Sequence, residues 1–261
     1  MRVASLGSGS KGNSTVIEGR EGRLLLDLGF GLKETIRRLA RLDLTPMDID
    51  AVLVTHEHAD HINGVAAFSR KFHIPAYMTP STYDAKRTGP LPALKPIQYE
   101  QSFAIGSIQV EPVVVPHDAR EPCQFIFSEE SSRVGVLTDL GHISAHVRDR
   151  YHDCDLLMLE CNYDKEMLAS GPYPVALKRR VAGDFGHLSN EQAAELVGTL
   201  NLPRLQNLVI SHVSEKNNQP ALAKSALTRV LCDWEGVLTL ASQADGFGWI
   251  DLSPKAHFNV F

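Results

Sequence analysis

Short apolar runs interrupted by glycine and polar residues fill the start of the chain and predict β-strands. They are RVASL (2–6), STVIEG (14–19), RLLLDLG (23–29) and AVLVT (51–55). The last of these is continuous and β-branched, as in a strand buried on both faces. The spacing of apolar residues becomes helical in LKETIRRLARL (32–42), where four apolar residues share one face. A second helix is predicted at about 62–72.

The same alternation of strands and helices continues to the end of the chain. Further strands are predicted in IPAYMT (74–79), FAIGSIQVEPVVVPH (103–117), CQFIFSEESSRVGVLTDLG (123–141), DCDLLMLECN (153–162), LQNLVISH (205–212), VLTLAS (237–242) and FGWIDL (247–252). Helices are predicted over 189–200, capped by Ser189 or Asn190, and over 220–234. The Pro-rich segment 80–100 and the segment 163–187 are predicted to be irregular. The chain twice shows a group of strands followed by strands that alternate with helices. This order predicts two sheets with helices outside them, in one domain of residues 1–261.

The stretch GSGSKG (7–12) has the glycine spacing of a dinucleotide-binding loop, and Asp27 follows Gly7 by 20 positions. That interpretation requires a helix directly after the third glycine, because the helix N-terminus holds the pyrophosphate. Here β-branched residues and two more glycines follow Gly12 and predict a hairpin. We therefore reject a dinucleotide site and expect a tight loop whose backbone approaches another part of the molecule closely.

Composition narrows the class of protein only moderately. The 261 residues carry a net charge of −5, which argues against global attraction to nucleic acid or an anionic membrane but permits a local basic patch. None of the four cysteines forms a C-x-x-C pair, which argues against a zinc knuckle or a thioredoxin-type pair. Without an export signal, the cysteines are predicted to be reduced and mostly buried. The N-terminus has no apolar signal segment and no long apolar run is present, so we expect a cytoplasmic protein without membrane contact.

The chemistry concentrates in THEHADH (55–61), at the end of the strand AVLVT. It places His56, His58, Asp60 and His61 within six residues. Side chains alternate along an extended segment, so His56 and His58 point to one side, and the turn into a helix brings Asp60 and His61 round to the same cavity. Four donors exceed the need of one zinc site with an open position, and this surplus favours two metals in one cleft.

Three more potential ligands each follow a β-branched run directly. They are His117 after VVVP, Asp139 after GVLT and His212 after LVIS. Taken singly, each is more often structural than a ligand; together with the first cluster they complete a two-metal set.

The spacing H-x-H-x-D-H after a buried strand, followed by His, Asp and His, resembles the metallo-β-lactamase fold superfamily over essentially the whole chain. The resemblance implies a four-layer αββα sandwich with two metals at one edge. It implies that His56, His58 and His117 hold one metal. It implies that Asp60, His61 and His212 hold the other, with Asp139 and a hydroxide bridging them.

Three further segments resemble the YycJ/WalJ-like family within that superfamily: LGSGSKGNST, GHLSNEQAAEL and ISHVSEKNNQPALA. This family is related to ribonuclease Z and is associated with 5′-to-3′ exonuclease action on DNA. LECNYD also resembles the ribonuclease Z segment whose glutamate supports a catalytic histidine, which implies a pairing of Glu160 with His187. The resemblance therefore implies a metal-dependent nuclease.

Phosphodiester hydrolysis suits these residues on chemical grounds. Two metals lower the pKa of bound water, so that a hydroxide attacks phosphorus, and they neutralise the phosphate. His187 is the candidate proton donor to the leaving oxygen, and Asp60 the candidate for orienting the hydroxide. Histidine-rich ligation suits zinc, whereas the carboxylates also tolerate manganese or iron.

Candidate substrate contacts lie in the first loop and in a basic run. Ser8, Ser10, Lys11 and Asn13 are candidates either to approach the substrate or to pack the ligand loop, and Lys178, Arg179 and Arg180 are candidates to face a nucleic-acid backbone. His142 and His146 follow Asp139 and are candidates for the cleft, whereas His73, His152 and His257 are predicted to lie on the surface. Asp27 is expected to brace the first histidine loop.

Two other functions stay open at this point. One is an enzyme of the same fold that hydrolyses small phosphodiesters or thioesters. The other is a regulatory protein whose metals are structural. Sequence alone leaves the native metal, the preference for DNA or RNA and the oligomeric state undetermined.

Overall fold

Two seven-stranded β-sheets packed face to face form the centre of the protein, in a computed structural model that describes residues 1–252. Strands of the first sheet are β1 (Arg2–Gly7), β2 (Ser14–Glu18), β3 (Arg23–Leu26), β4 (Ala51–Leu53), β5 (Ala76–Met78) and β6 (Leu94–Pro96). Strands of the second are β7 (Phe103–Ile105), β8 (Ile108–Val114), β9 (Cys123–Glu129), β10 (Ser132–Leu137), β11 (Leu156–Glu160), β12 (Asn207–Ser211) and β13 (Val237–Leu240). The last strand, β14 (Phe247–Asp251), returns to the first sheet beside β1.

Each sheet begins with antiparallel hairpins and continues with parallel strands. The order is β14-β1-β2-β3-β4-β5-β6 in the first sheet and β13-β12-β11-β10-β9-β8-β7 in the second. Pairing becomes parallel from β3 onward in the first sheet and from β10 onward in the second. Because parallel neighbours require crossovers, this is where the helices occur, and the ends of these strands meet at one edge of each sheet.

The helices cover the outer faces of the sheets. They are α1 (Leu32–Leu39), α2 (Ala59–Ile62), α3 (Val65–Phe72), α4 (Ala85–Thr88), α5 (Ala145–Tyr151), α6 (Lys165–Ser170), α7 (Val175–Val181), α8 (Asn190–Val197) and α9 (Pro220–Thr228). Within residues 1–252, none of them has the length and apolar character needed to cross a bilayer.

Alternate side chains of a strand enter two different apolar cores. In β11, Leu156 and Met158 pack between the two sheets, whereas Leu157 and Leu159 pack against the helical layer that includes α5, α8 and α9. A third core lies between the first sheet and the layer that includes α1 and α3. This succession of helix, sheet, sheet and helix confirms the predicted αββα sandwich.

The prediction of one helix over about 62–72 is wrong at its N-terminal end. The structure has two helices there, α2 and α3, and Gly64 lies between them. The Gly64 N–H donates to the Leu28 carbonyl at 2.7 Å, and a Cβ on Gly64 would lie only 2.0 Å from the carbonyl oxygen of Phe30. The chain therefore packs directly on the segment after β3, and the extra short helix α2 carries Asp60 and His61.

Both segments predicted to be irregular contain regular structure, which corrects that prediction. Residues 163–187 include α6, capped by the Asp164 carboxylate at the Met167 N–H, and α7, which begins after Pro174. Residues 80–100 include α4 and β6. The prolines and basic residues of these segments indicated loops, but proline is also compatible with the first turn of a short helix. The last helix ends at Thr228 instead of 234, whereas the predicted Ser189 cap and the hairpin after GSGSKG are confirmed.

Candidate metal centre

The ends of several strands place acidic and histidine side chains together at one edge of the sandwich. Asp139, Glu160 and His212 come from the ends of the neighbouring strands β10, β11 and β12, which run parallel. His56 follows β4 of the other sheet, yet its potential ligand atom lies within 4.8 Å of one on Asp139. The edge therefore joins donors from both sheets.

Three histidine rings form the first group of donors. Nδ1 of His58 lies 3.0 Å from Nε2 of His56 and 3.3 Å from Nε2 of His117. The far nitrogen of His117, Nδ1, donates to the Gly186 carbonyl at 3.0 Å, and Nδ1 of His56 lies 2.9 Å from Thr55 Oγ1. In neutral His117 this bond leaves the lone pair of Nε2 directed at the other rings.

Asp60, His61 and His212 form the second group. Oδ2 of Asp60 lies 3.4 Å from Nε2 of His61 and 3.5 Å from Nε2 of His212. Asp139 lies between the groups, with Oδ2 at 3.0 Å from His61 Nε2 and Oδ1 at 3.2 Å from His212 Nδ1. The seven predicted ligands are thus brought together in overlapping groups.

Asp27 lies behind the second group and braces it, as expected from the sequence. Its Oδ2 accepts a hydrogen bond from His61 Nδ1 at 2.8 Å, and its Oδ1 accepts one from the Thr55 N–H at 2.9 Å. Burial raises the pKa of Asp27, which these hydrogen bonds oppose. Such an outer carboxylate fixes the ring orientation of a metal-binding histidine.

Glu160 pairs with His187, as the family resemblance implied. Its Oε1 accepts hydrogen bonds from Nδ1 of His187 at 2.7 Å and from Nδ1 of His212 at 2.9 Å, while Oε2 accepts from the Leu188 N–H at 2.9 Å. Glu160 is fully buried, and His187 lines the cleft described below. One carboxylate therefore positions two imidazoles.

Three residues of the site adopt a left-handed backbone conformation that side chains seldom occupy. They are Asp27, Asp139 and His212, with φ of 58°, 56° and 50°. Each follows the end of β3, β10 or β12, where the chain turns sharply out of the sheet. Such backbone strain concentrates at functional sites, and here it aims three side chains inward.

The two groups differ in charge. Burial lowers the pKa of His56 well below its ordinary value and also lowers that of His117, so both rings are neutral donors. Burial disfavours charge on Asp139 too, but His212 and His61 hold the pKa of its carboxyl well below the usual range. Burial likewise opposes protonation of His212, yet Asp139 and the neighbouring carboxylates raise its pKa to about 10. The second group therefore attracts positive charge, whether a proton or a metal ion.

The donor set fits divalent metal ions. Buried polar atoms that lack a hydrogen bond include Oδ2 of Asp139 and Nε2 of His212, both of which face the cluster. Imidazole lone pairs converge in the first group, and carboxylate oxygens face ring nitrogens in the second. A cation satisfies both arrangements, because neutral imidazole and carboxylate are ordinary ligands of zinc and manganese.

A cleft of about 350 Å³ opens over these donors. The metal-binding candidates that line it are His58, Asp60, Asp139 and His212, joined by His187. Ser10 and Arg180 also line it, and Arg180 donates to Asp118.

The remaining substrate-contact candidates have other environments. Ser8 and Asn13 are buried: Ser8 Oγ accepts from the His212 N–H at 2.9 Å, and Asn13 Nδ2 donates to Asp60 Oδ2 at 3.2 Å. Lys11 is exposed and pairs with Glu215 at 2.7 Å. Lys178 and Arg179 lie in α7, not in a loop, and line a separate depression beside Tyr163 and Lys165.

Four other histidines in the described part of the chain lie outside the donor groups. His142 Nδ1 donates to the Asp184 carbonyl at 2.8 Å, and His146 lies 3.3 Å from Glu100. His73 is exposed at the end of α3, and His152 contacts Asp153. His257 lies outside the described residues.

Two features of the site escaped sequence reasoning. Oδ1 of Asp118 lies 3.4 Å from Nε2 of His117 and 3.8 Å from Nε2 of His58. Its position directly after His117 was the available signal. Tyr173 also lines the cleft. The sequence predicts an irregular loop for its segment and contains no motif that marks Tyr173 as functional.

Comparison with known proteins places this arrangement in a family. A profile of the β-lactamase superfamily domain matches residues 22–213. Exodeoxyribonuclease YycJ of Bacillus anthracis is 33% identical over 235 residues, which cover 88% of this chain and 89% of that protein. Exodeoxyribonuclease WalJ of Streptococcus pneumoniae serotype 2 (strain D39) is 35% identical over 237 residues and 88% of each chain.

Solved structures agree on the fold. The metallo-β-lactamase fold protein YhfI from Bacillus subtilis matches with a TM-score of 0.72 at 15% identity, over 96% of this chain and 99% of its own. The chain belongs to the β-lactamase superfamily and, within it, to the YycJ/WalJ-like family of metallo-β-lactamase-fold hydrolases.

Proposed function

We propose that this protein is a binuclear metal-dependent nuclease that degrades DNA as a 5′-to-3′ exonuclease. One observation carries the proposal: seven histidine and aspartate donors converge in overlapping groups, and four of them line one cleft. Its relatives over 88% of the chain are named exodeoxyribonucleases, which supports a nucleic-acid substrate. We further propose that residues 1–261 act as one domain in the cytoplasm.

His56, His58 and His117 would hold one metal ion, and Asp60, His61 and His212 the other, with Asp139 shared between them. Zinc and manganese suit these donors, and iron is an alternative. When bound, such ions activate water and neutralise phosphate charge. Asp60 is one-fifth exposed to the cleft, and its carboxylate orients the attacking water.

His187 is the proposed proton donor to the leaving oxygen. Its ring shares a group of potential ligand atoms with Asp139, Glu160 and His212, which is also compatible with a ligand role. We favour the acid role because seven other donors already form the two groups, and the His187 side chain is one-fifth exposed at the cleft whereas that of His212 is only 3% exposed. Glu160 is then a positioning residue, since it acts on the substrate only through His187.

Substrate contacts are assigned to residues at the mouth of the cleft. Arg180 and Ser10 line it, and Lys11 lies on the adjoining loop. Ser8 and Asn13 act indirectly, since both are buried and hold the ligand loops. Lys178 and Arg179 would meet a longer strand beyond the cleft, where their charge makes affinity dependent on salt.

The test is digestion of 5′- and 3′-labelled single- and double-stranded DNA and RNA, with bound metal measured in the same preparation. Stepwise release of nucleotides from the 5′ end of DNA is the expected result. Cleavage of bis(p-nitrophenyl) phosphate without cleavage of any labelled strand would instead indicate an enzyme for small phosphodiesters. Metal binding without turnover of any phosphodiester would overturn the nuclease proposal.

A further inference from the structure

Part of the lining of the cleft is apolar. Tyr173, Leu177, Val181 and Val213 line the same cavity as His58, Asp60 and His187. Three of the four come from the segment that contains α7, and Val213 directly follows His212. Water activation and phosphate binding do not require apolar side chains, so this wall has a different use.

Tyr173 is partly fixed by apolar packing. The ring is half-buried and packs with Leu177 against Tyr163, Leu168 and Val181. The ammonium group of Lys216, an exposed side chain, lies over the Tyr173 ring, 5.7 Å from its centroid. The ring therefore combines apolar packing with a positive charge at the surface of the protein.

We propose that Tyr173, with Leu177 and Val213, forms a subsite for the base of the nucleotide whose phosphate is bound at the donor groups. This inference rests on the proposed nuclease function and narrows its substrate to a strand end with an unpaired base. Every nucleobase has a flat π-face, so stacking on an aromatic ring binds it without regard to sequence.

The size and charge of the cavity agree with this occupant. At about 350 Å³ the cleft is at the small end of cavities that take small ligands, which suits one nucleotide and not a duplex. In this arrangement the phosphate lies against the metal-binding candidates, and the base lies against the apolar side chains. Lys216 lies near Tyr173, where it can meet the charge of an adjoining phosphate. A fatty acyl chain would also contact the apolar wall, but it gains nothing from an aromatic face or a neighbouring ammonium group.

Binding of two probes that differ only by the base provides the test. The metal-loaded protein is titrated calorimetrically with dTMP and with 2-deoxyribose 5-phosphate. We expect wild type to bind dTMP more tightly by about 5- to 100-fold, the range of base stacking on an aromatic residue. Tyr173→Ala should weaken dTMP binding to the level of the sugar phosphate and leave the sugar phosphate unaffected, whereas Tyr173→Phe should keep the preference.

Val175→Ala is the matched control, because Val175 lies in the same segment, is 64% exposed and does not line the cleft. It should retain the wild-type preference. The subsite is refuted if wild type binds both probes equally or neither detectably. It is equally refuted if Tyr173→Ala weakens both to the same extent, which would indicate a structural role. The binding test does not depend on turnover. Failure to cleave labelled DNA would therefore overturn the nuclease proposal, whereas the binding results alone decide the subsite.

Discussion

Oε1 of Glu160 lies 2.7 Å from Nδ1 of His187, and it joins a fully buried carboxylate to a ring that borders the cleft. The same oxygen accepts a hydrogen bond from His212 at 2.9 Å. A change at Glu160 therefore disturbs a proposed ligand and the proposed acid together. A change at His187 removes the acid and leaves the Glu160–His212 contact in place, so His187 is the cleaner position for a test.

His187→Ala should slow DNA cleavage selectively. We expect kcat on labelled DNA to fall about 10²- to 10⁴-fold, because the departing alkoxide needs a proton. The effect on bis(p-nitrophenyl) phosphate should be much smaller, since p-nitrophenolate is a weak base that leaves unprotonated. Comparing kcat for the two substrates measures the difference.

His142→Ala provides the control for that variant. His142 is bonded to the Asp184 carbonyl and does not line the cleft, so both rates should stay near those of wild type. Bound metal is measured in both proteins. Loss of metal from His187→Ala, or equal slowing on both substrates, would contradict the acid role.

Asp139→Ala should remove metal-dependent turnover and at least part of the bound metal. The carboxylate lies 3.0 Å from His61 and 3.2 Å from His212 of the second group, and within 4.8 Å of a potential ligand atom of His56 in the first, so both groups depend on it. Metal content after dialysis and DNA cleavage at saturating metal are the measurements. Asp118→Ala is the control, because it removes another carboxylate near the cluster, 3.4 Å from His117, that belongs to neither proposed donor group. Unchanged activity in Asp139→Ala would rule out the site assignment.

Asp27→Asn should weaken metal binding without abolishing it. The carboxylate accepts from His61 Nδ1 and fixes Nε2 toward the site. Loss of such an outer contact costs about 10- to 100-fold in metal affinity. Competition with a chromogenic chelator measures the affinity. Asp27→Asn with wild-type affinity would show that the orientation of His61 is set elsewhere.

Several candidate donor positions were predictable because they follow a recognisable β-branched run. Asp139 and His212 lie where buried strands of one sheet end, and parallel strands bring their ends together. The approach of His56 from the other sheet was expected only through the family resemblance. The pairing of Glu160 with His187 was expected only through family resemblance. Nothing in the local sequence around either residue indicates that they lie 2.7 Å apart.

The substrate side of the cleft was much less predictable. Much of its apolar lining comes from the segment that contains α7, where the runs GPYP and KRR indicated a loop. The sequence allows Ser8 and Asn13 either to contact the substrate or to pack the ligand loop, and the structure has both buried in contact with His212 or Asp60. Burial of a polar loop residue depends on distant packing, which short-range patterns do not encode.

The pair of arginines around Glu34 predicts a pH effect on stability. Hydrogen bonds from Arg37 and Arg38 lower the pKa of Glu34 from its usual 4.5 to about 2. A lowered pKa means that the carboxylate stabilises the fold above about pH 4.5, and that this contribution is lost as the pH falls toward 2. Glu34→Gln should therefore lower the free energy of unfolding near neutral pH by about 0.5 kcal/mol, as for other exposed pairs.

Urea unfolding of both proteins at several pH values measures that difference. It should shrink as the solution becomes more acidic than pH 4.5. Glu195→Gln removes a charge from another helix at an exposed residue without an ion pair in the described part of the chain, and so controls for net charge. A difference that grows in acid would contradict the assignment.

The four cysteines should differ sharply in reactivity. Cys232 is exposed, whereas Cys123, Cys154 and Cys161 are buried, and burial raises the pKa of Cys154 to about 12. Because the thiolate is the reactive form, an aromatic disulfide reagent should modify one thiol per native chain quickly and all four after denaturation. Cys232→Ser should abolish the fast phase and leave the folded structure and DNA cleavage unchanged. Rapid modification of a second thiol in the native protein would show that one of the buried cores opens readily.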